Sequence, residues 1–239
     1  MYKKIFLTTV ETVFSVFVVI LGLLFIISTF ENILIQEEMK NFINSCTFEE
    51  QIDNTYFFSL EDEGNSHIEK EKRVLGKSGD IFVMPQSRME VFPFFSKFVT
   101  CLFGGHSGLV YDDRFIIEAM GGTVQDGYVF FNSSDLYSEE RTVIGLNVKT
   151  TDANKQKAID YAYSKIDYKY NFLYIFDNFN KYYCTDLCSR SFGKENDLNL
   201  NLNKDGLFVS TQDLLLSDNT EISFIKIKDG EKVYIYYKK

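Results

Sequence analysis

Residues 104–122, GGHSGLVYDDRFIIEAMGG, read as a β-hairpin, and the rest of the fold follows from it. Two short runs, HSGLVYD and RFIIEAM, meet at Asp112-Asp113 and are bounded by Gly-Gly on either side. Brief runs of branched apolar residues between turn residues are strands, and a two-residue acidic break between them makes a hairpin. Just upstream, GDIFVMP (79–85) is another short buried strand, ended by Pro85. Downstream, TVQDGYVFF (123–131), RTVIGLNVK (141–149), EISFIKIK (221–228) and KVYIYYKK (232–239) have the same character, the last two joined at Asp229-Gly230. Between them Thr151 and Asp152 cap a predicted helix, DANKQKAIDYAYSKI (152–166), with Ala158, Ile159, Ala162 and Ile166 on one face. The Phe-rich stretch 89–103 is expected to be partly helical. No internal repeat is visible. The class is α+β: an antiparallel sheet with helices on one side.

Of 239 residues, 45% are hydrophobic and 25% charged, with 24 Phe, 15 Tyr, no Trp and two Pro. A net charge of −9 leaves no electrostatic footprint for nucleic acid and repels anionic headgroups, which excludes a basic-patch mode of membrane binding. The four cysteines, 46, 101, 184 and 188, form no CxxC and no disulfide framework. With only two histidines to add, the spacing of a closed metal site is missing, so no metal or cofactor is expected.

The chain opens MYKK and continues IFLTTVETVFSVFVVILGLLFIISTF. As a helix, residues 5–30 span roughly 39 Å, more than the ~30 Å hydrocarbon layer of a bilayer. The stretch is too long for a signal-peptide core and lacks a small-residue cleavage site, which favours an uncleaved anchor at residues 1–31. Lys3 and Lys4 before it, and Glu31, Glu37 and Glu38 after it, place the N-terminus in the cytoplasm and the remainder outside. Residues 32–78, polar and charge-rich, are expected to form a stalk, with His67 in a solvated run, and the domain proper to occupy 79–239.

Two residues carry nucleophile chemistry. Cys184, in YYCTDLCSR, opens a predicted helix. A thiol there feels the positive end of the helix dipole, which favours the thiolate, and unpaired backbone N–H groups can hold an oxyanion. The alternative is a buried apolar cysteine, the commoner fate and the one expected for Cys188 one turn later. His106 is the sole histidine of the globular part, flanked by small residues that leave its ring space. It can take the thiol proton, or it can be a satisfied core histidine. Glu118 stands in an otherwise apolar strand. A carboxylate there needs a partner, and His106 on the neighbouring strand is within reach if Glu118 faces inward rather than to solvent.

Taken together, Gly79-Asp80-Ile81, His106 with Gly108, Glu118-Ala119, Tyr170 and Tyr183-Cys184 resemble the circularly permuted branch of the NlpC-type papain-like cysteine hydrolases, the YiiX/YebB-like group. In that group the histidine precedes the cysteine. Thr185-Asp186-Leu187 replaces the usual Ser-Glu-Leu, and FVSTQDLLLS has Thr211 where proline is common. The likeness runs from about residue 79 to 219. It implies a permuted papain-like sheet or half-barrel packed against helices. By the resemblance Cys184 is nucleophile, His106 base and then acid, Glu118 the orienting residue, and Tyr170 a wall of the substrate cleft.

Three functions are expected to compete. One is hydrolysis of amide bonds in cell-wall peptides through a thioester acyl-enzyme. A second is transfer or cleavage of lipid acyl groups at the same site, since the branch also resembles lecithin:retinol acyltransferase-type enzymes and the Phe-rich 89–103 insertion suits an apolar lid. The third is a surface-binding domain with an inactive site.

Overall fold

A computed structural model describes residues 2–46, 48–53, 76–85, 104–112, 115–121, 128–133, 142–174, 180–204, 206, 208–230 and 232–237. The helices are α1 (Tyr2–Ser45), α2 (Asp152–Tyr163), α3 (Cys184–Phe192) and α4 (Thr211–Leu216). The strands are β1 (Phe48–Asp53), β2 (Ile81–Met84), β3 (His106–Val110), β4 (Phe115–Met120), β5 (Tyr128–Ser133), β6 (Thr142–Val148), β7 (Lys169–Tyr170), β8 (Lys181–Tyr182), β9 (Thr220–Asp229) and β10 (Lys232–Tyr237). They form one sheet in the order β1-β10-β9-β6-β2-β3-β4-β5-β7-β8, antiparallel except for the short β7–β8 pair.

Two apolar clusters separate the faces of the sheet. Leu109 and Ile117 turn toward the helices and pack with Ala158, Ala162, Leu187, Phe192 and Leu214. Val110 and Ile116 turn the other way, into a cluster shared by β2, β3, β4, β6, β9 and β10. Strands as far apart in the order as β4 and β10 meet there, so the sheet curls around that cluster, and Phe82 and Phe224 form an edge-to-face pair 5.4 Å apart within it. Close packing at this point needs Gly145: a Cβ there would sit 2.1 Å from the Phe224 ring.

The predicted hairpin is β3–β4, with the Asp112 carboxylate accepting the Phe115 N–H at its turn. Thr151 caps α2 by accepting the Asn154 N–H. Behind α2, the buried Lys155 ammonium reaches Asp80 Oδ1 at 2.7 Å and Asn147 Oδ1 at 2.6 Å. This explains the Gly79-Asp80-Ile81 motif: Gly79 adopts a left-handed φ of +82°, and a side chain there would strike Lys155.

Residues 32–53 differ from the expected stalk. α1 continues without a break to Ser45, and Ile35 and Phe42 are buried, Phe42 in the helix-side cluster with Met39 and Ile43 packed against it. This half of α1 contacts α4 and β9, and β1 extends the sheet beside β10. The near-helical spacing of Ile35, Met39, Phe42 and Ile43 is a packing stripe, which a free stalk would leave in water. Residues 54–75, including His67, and the Phe-rich 89–103 segment with Cys101 lie outside the described residues, as does the start of the predicted 123–131 strand. Toward the N-terminus α1 carries exposed large apolar side chains from Val10 to Phe30 and is long and apolar enough to cross a membrane.

Candidate active site

β3 opens with His106, at the rim of the sheet. β3 and β4 pair through Leu109–Ile117 and Val110–Ile116, which places Glu118 on the strand beside the one that His106 opens. Its Oε2 is 2.8 Å from His106 Nε2, and the carboxylate is wholly buried while the imidazole is 12% exposed. The facing that alternation alone left open is inward.

α3 brings Cys184 to the other side of the ring. The thiol hydrogen-bonds with His106 and accepts the backbone N–H groups of Ser107 and Thr185. With Nε2 engaged by Glu118, the ring nitrogen toward sulfur is Nδ1. Burial works against a thiolate, but the His106 charge, its hydrogen bond and the two N–H groups outweigh it, and the Cys184 pKa falls below its ordinary 9.0. Burial likewise opposes a charged His106. The thiolate and Glu118 overcome it and push the imidazole up to about 10. Each partner therefore favours the charged form of the other, the thiolate beside the imidazolium. The cap residue of α3, Tyr183, supplies no side-chain acceptor, so the positive end of the helix is left to the sulfur.

Tyr170 is buried near the thiol, and burial first, then the Cys184 charge, raises its pKa well above the ordinary value. Its hydroxyl lies 3.2 Å from that of Tyr174, whose ring stands 5.2 Å from Tyr183. Gly121 makes room for this wall: a Cβ there would come within 3.1 Å of the Tyr170 and Phe172 rings. Tyr183 belongs to the Tyr183-Cys184 motif, whereas Tyr174 was not singled out in the sequence, though it stands in the tyrosine-rich stretch. Beyond them a cavity of about 640 Å³ is lined by Tyr174, Tyr183, Asp186, Arg190 and the 193–209 segment.

Cys188 is fully buried, 3.6 Å from Ser107 Oγ, and burial drives its thiol pKa upward, the reverse of Cys184. The residues after Cys184 tie the helix into the fold. Thr185 donates to Val209 O, Asp186 pairs with Arg190 at 3.4 Å, and Leu187 is core. Arg190 in turn stacks 4.4 Å over Tyr182. Among the described residues no group of three or more His, Cys, Asp or Glu side chains could hold a metal ion.

A thiol at a helix start, an imidazole beside it and a buried carboxylate behind the ring can together attack an acyl carbon and protonate its leaving group. The solved structure of metalloprotein YiiX from Escherichia coli O157:H7 is similar over 61% of this chain and 95% of that one, with 14% identity and a TM-score of 0.49. No curated protein sequence matches. Residues 77–212, which hold His106, Glu118, Tyr170 and Cys184, match the family described as permuted papain-like amidase enzymes, YaeF/YiiX, C92. On that match, covering more than half of its length, the chain belongs to the permuted papain-like amidase family.

Proposed function

We propose that this protein is a membrane-anchored cysteine amidase that cleaves amide bonds of cell-wall peptides through a thioester at Cys184. The observation that carries the reading is the continuous line Glu118–His106–Cys184, closed at 2.8 Å on the carboxylate side and by the thiol hydrogen bond on the other. The Cys184 sulfur attacks the carbonyl carbon, and the N–H groups at the start of α3 receive the oxyanion. His106 gives its proton to the amine as the C–N bond breaks, leaving an acyl thioester. It then takes a proton from water, whose oxygen displaces the sulfur, and carboxylic acid, thiolate and imidazolium remain. Glu118 keeps the ring oriented, and Tyr170 walls the cleft beside the sulfur.

In this reading residues 1–31 anchor the protein in a single pass, with the N-terminus cytoplasmic and the domain on the outer side, where wall peptides are found. A second substrate class is favoured by α1. The apolar helix passes straight into the domain, which ties the domain to the membrane that holds lipid acyl groups. Incubating full-length protein in detergent with isolated wall peptides and, separately, with acylated phospholipid distinguishes the two. New amines from the peptides, absent in Cys184→Ala, are expected. Release from lipid alone would move the substrate to the acyl class, and peptide turnover retained in Cys184→Ala would remove the cysteine mechanism.

A further inference from the structure

The nucleophile helix and the strand of the base are far apart in sequence, and one short segment touches both. Val209 donates its N–H to the Tyr183 hydroxyl at 2.9 Å and accepts the Thr185 hydroxyl at 2.7 Å, so it grips the residues on either side of Cys184. Two residues later, Thr211 Oγ1 accepts the Gly105 N–H at 3.3 Å, directly before His106, and donates to Gln212 Oε1 at 3.3 Å. The second bond fixes the hydroxyl rotor and leaves a lone pair aimed at Gly105. Contact is so close that Gly104, with a φ of +73°, must be glycine: a Cβ would overlap Thr211 Oγ1.

The segment is itself rigid. Ser210 and Asp213 form a reciprocal capping box at the start of α4, and Asp213 Oδ1 also accepts the Lys204 N–H. Ser210, Thr211, Gln212 and Asp213 are each 4% exposed or less. Proline in place of Thr211 could not make the bond to Gly105, so the contact belongs to this chain's own sequence.

We infer that Val209–Thr211 is a clasp that sets the separation of Cys184 from His106, with Thr211 as a positioning residue acting through the Gly104-Gly105 loop. The inference rests on the Cys184–His106 reading above. Misplacing two reacting groups by about 1 Å is enough to cost about 100-fold in rate, so a support held this tightly has catalytic consequences.

Other ionisable groups face the thiol as well: Tyr170 on β7, Tyr174 beyond it, and Tyr183 and Cys188 around α3, with Glu118 behind the His106 ring. A change at Thr211 leaves each of these side chains in place in the sequence. The test is the pH dependence of iodoacetamide alkylation at Cys184, read by peptide mass spectrometry on full-length protein, with melting temperature measured in parallel. Wild type is expected to show an inflection well below that of an ordinary thiol. In Thr211→Val the inflection moves up by about one pH unit, about tenfold in rate on the acidic limb, and Thr211→Ser restores it. If Thr211→Val does not fold, Thr211→Ala decides in its place. An early inflection in wild type that is unchanged in the folded variant overturns the clasp alone. An ordinary-thiol profile in wild type overturns the site reading itself.

Discussion

At Cys184 and His106, burial and charge pull in opposite directions. Burial favours the neutral form of each. Side by side, with two backbone N–H groups on the sulfur and Glu118 behind the ring, the balance moves toward the charged forms. In the proposed mechanism the imidazolium protonates the leaving amine, and it persists until pH rises through about 10. The thiolate is lost only as pH falls through a value below 9.0. The rate therefore follows a bell whose alkaline arm falls near pH 10 and whose acidic arm lies below the ordinary thiol range, checked by kcat/KM against pH. Glu118→Gln leaves the size of the buried side chain unchanged but removes its charge. It is expected to lower kcat about 100-fold or more and to pull the alkaline arm downward, and a variant with wild-type kcat would deny Glu118 its role. These three residues could be found in the sequence because their types are out of place: the sole histidine of the domain, a carboxylate in an apolar strand, a cysteine at a helix start. The Ser107 and Thr185 N–H groups have no sequence signal, being main chain, and Tyr174 could not be told from other tyrosines before the chain was folded around it.

Among the elements, the strands that flank the site were legible because each is a short apolar run between turn residues. β1, β7 and β8 were not. β1, FEEQID, lacks that pattern, and β7 and β8 have two residues each, held by neighbours rather than by propensity. α4 was seen as a family-like segment but not as a helix, since six residues are too few for a period to show. The ion pair between Asp80 at the head of β2 and Lys155 on α2 is likewise a tertiary fact: sequence shows both charges but not that they meet in the interior. Removing one partner strands the other charge. Asp80→Ala is expected to destabilise the fold by about 3–5 kcal/mol in urea unfolding, far beyond the effect of an exposed carboxylate, and a loss under about 1 kcal/mol would show that the pair is not a buried tie between β2 and α2.

For the whole molecule, α1 has two jobs in one helix. Most of its large apolar side chains from Val10 to Phe30 are exposed, while Ile35 and Phe42 are buried, Phe42 within the core. The composition of the first part was plain in the sequence. The role of the second was hidden, because a stripe of four apolar residues among charges fits a free amphipathic helix as well as a packed one. Deleting residues 1–31 is expected to move the protein from the membrane pellet to the soluble fraction with its fold intact. Phe42→Ala in the full chain should stay in the membrane but lose about 3–5 kcal/mol of stability. Sedimentation and urea denaturation separate the two effects, and a soluble Phe42→Ala or an unfolded truncation would contradict this division.

Every part of the molecule converges on the sulfur of Cys184, and intact-mass spectrometry of the protein mixed rapidly with a wall peptide reads that atom directly. A transient mass increase equal to the acyl portion, located on the peptide containing Cys184, released by hydroxylamine and absent from Cys184→Ala, is the predicted result. Peptide cleavage that proceeds with no adduct on Cys184, and equally well in Cys184→Ala, would contradict it.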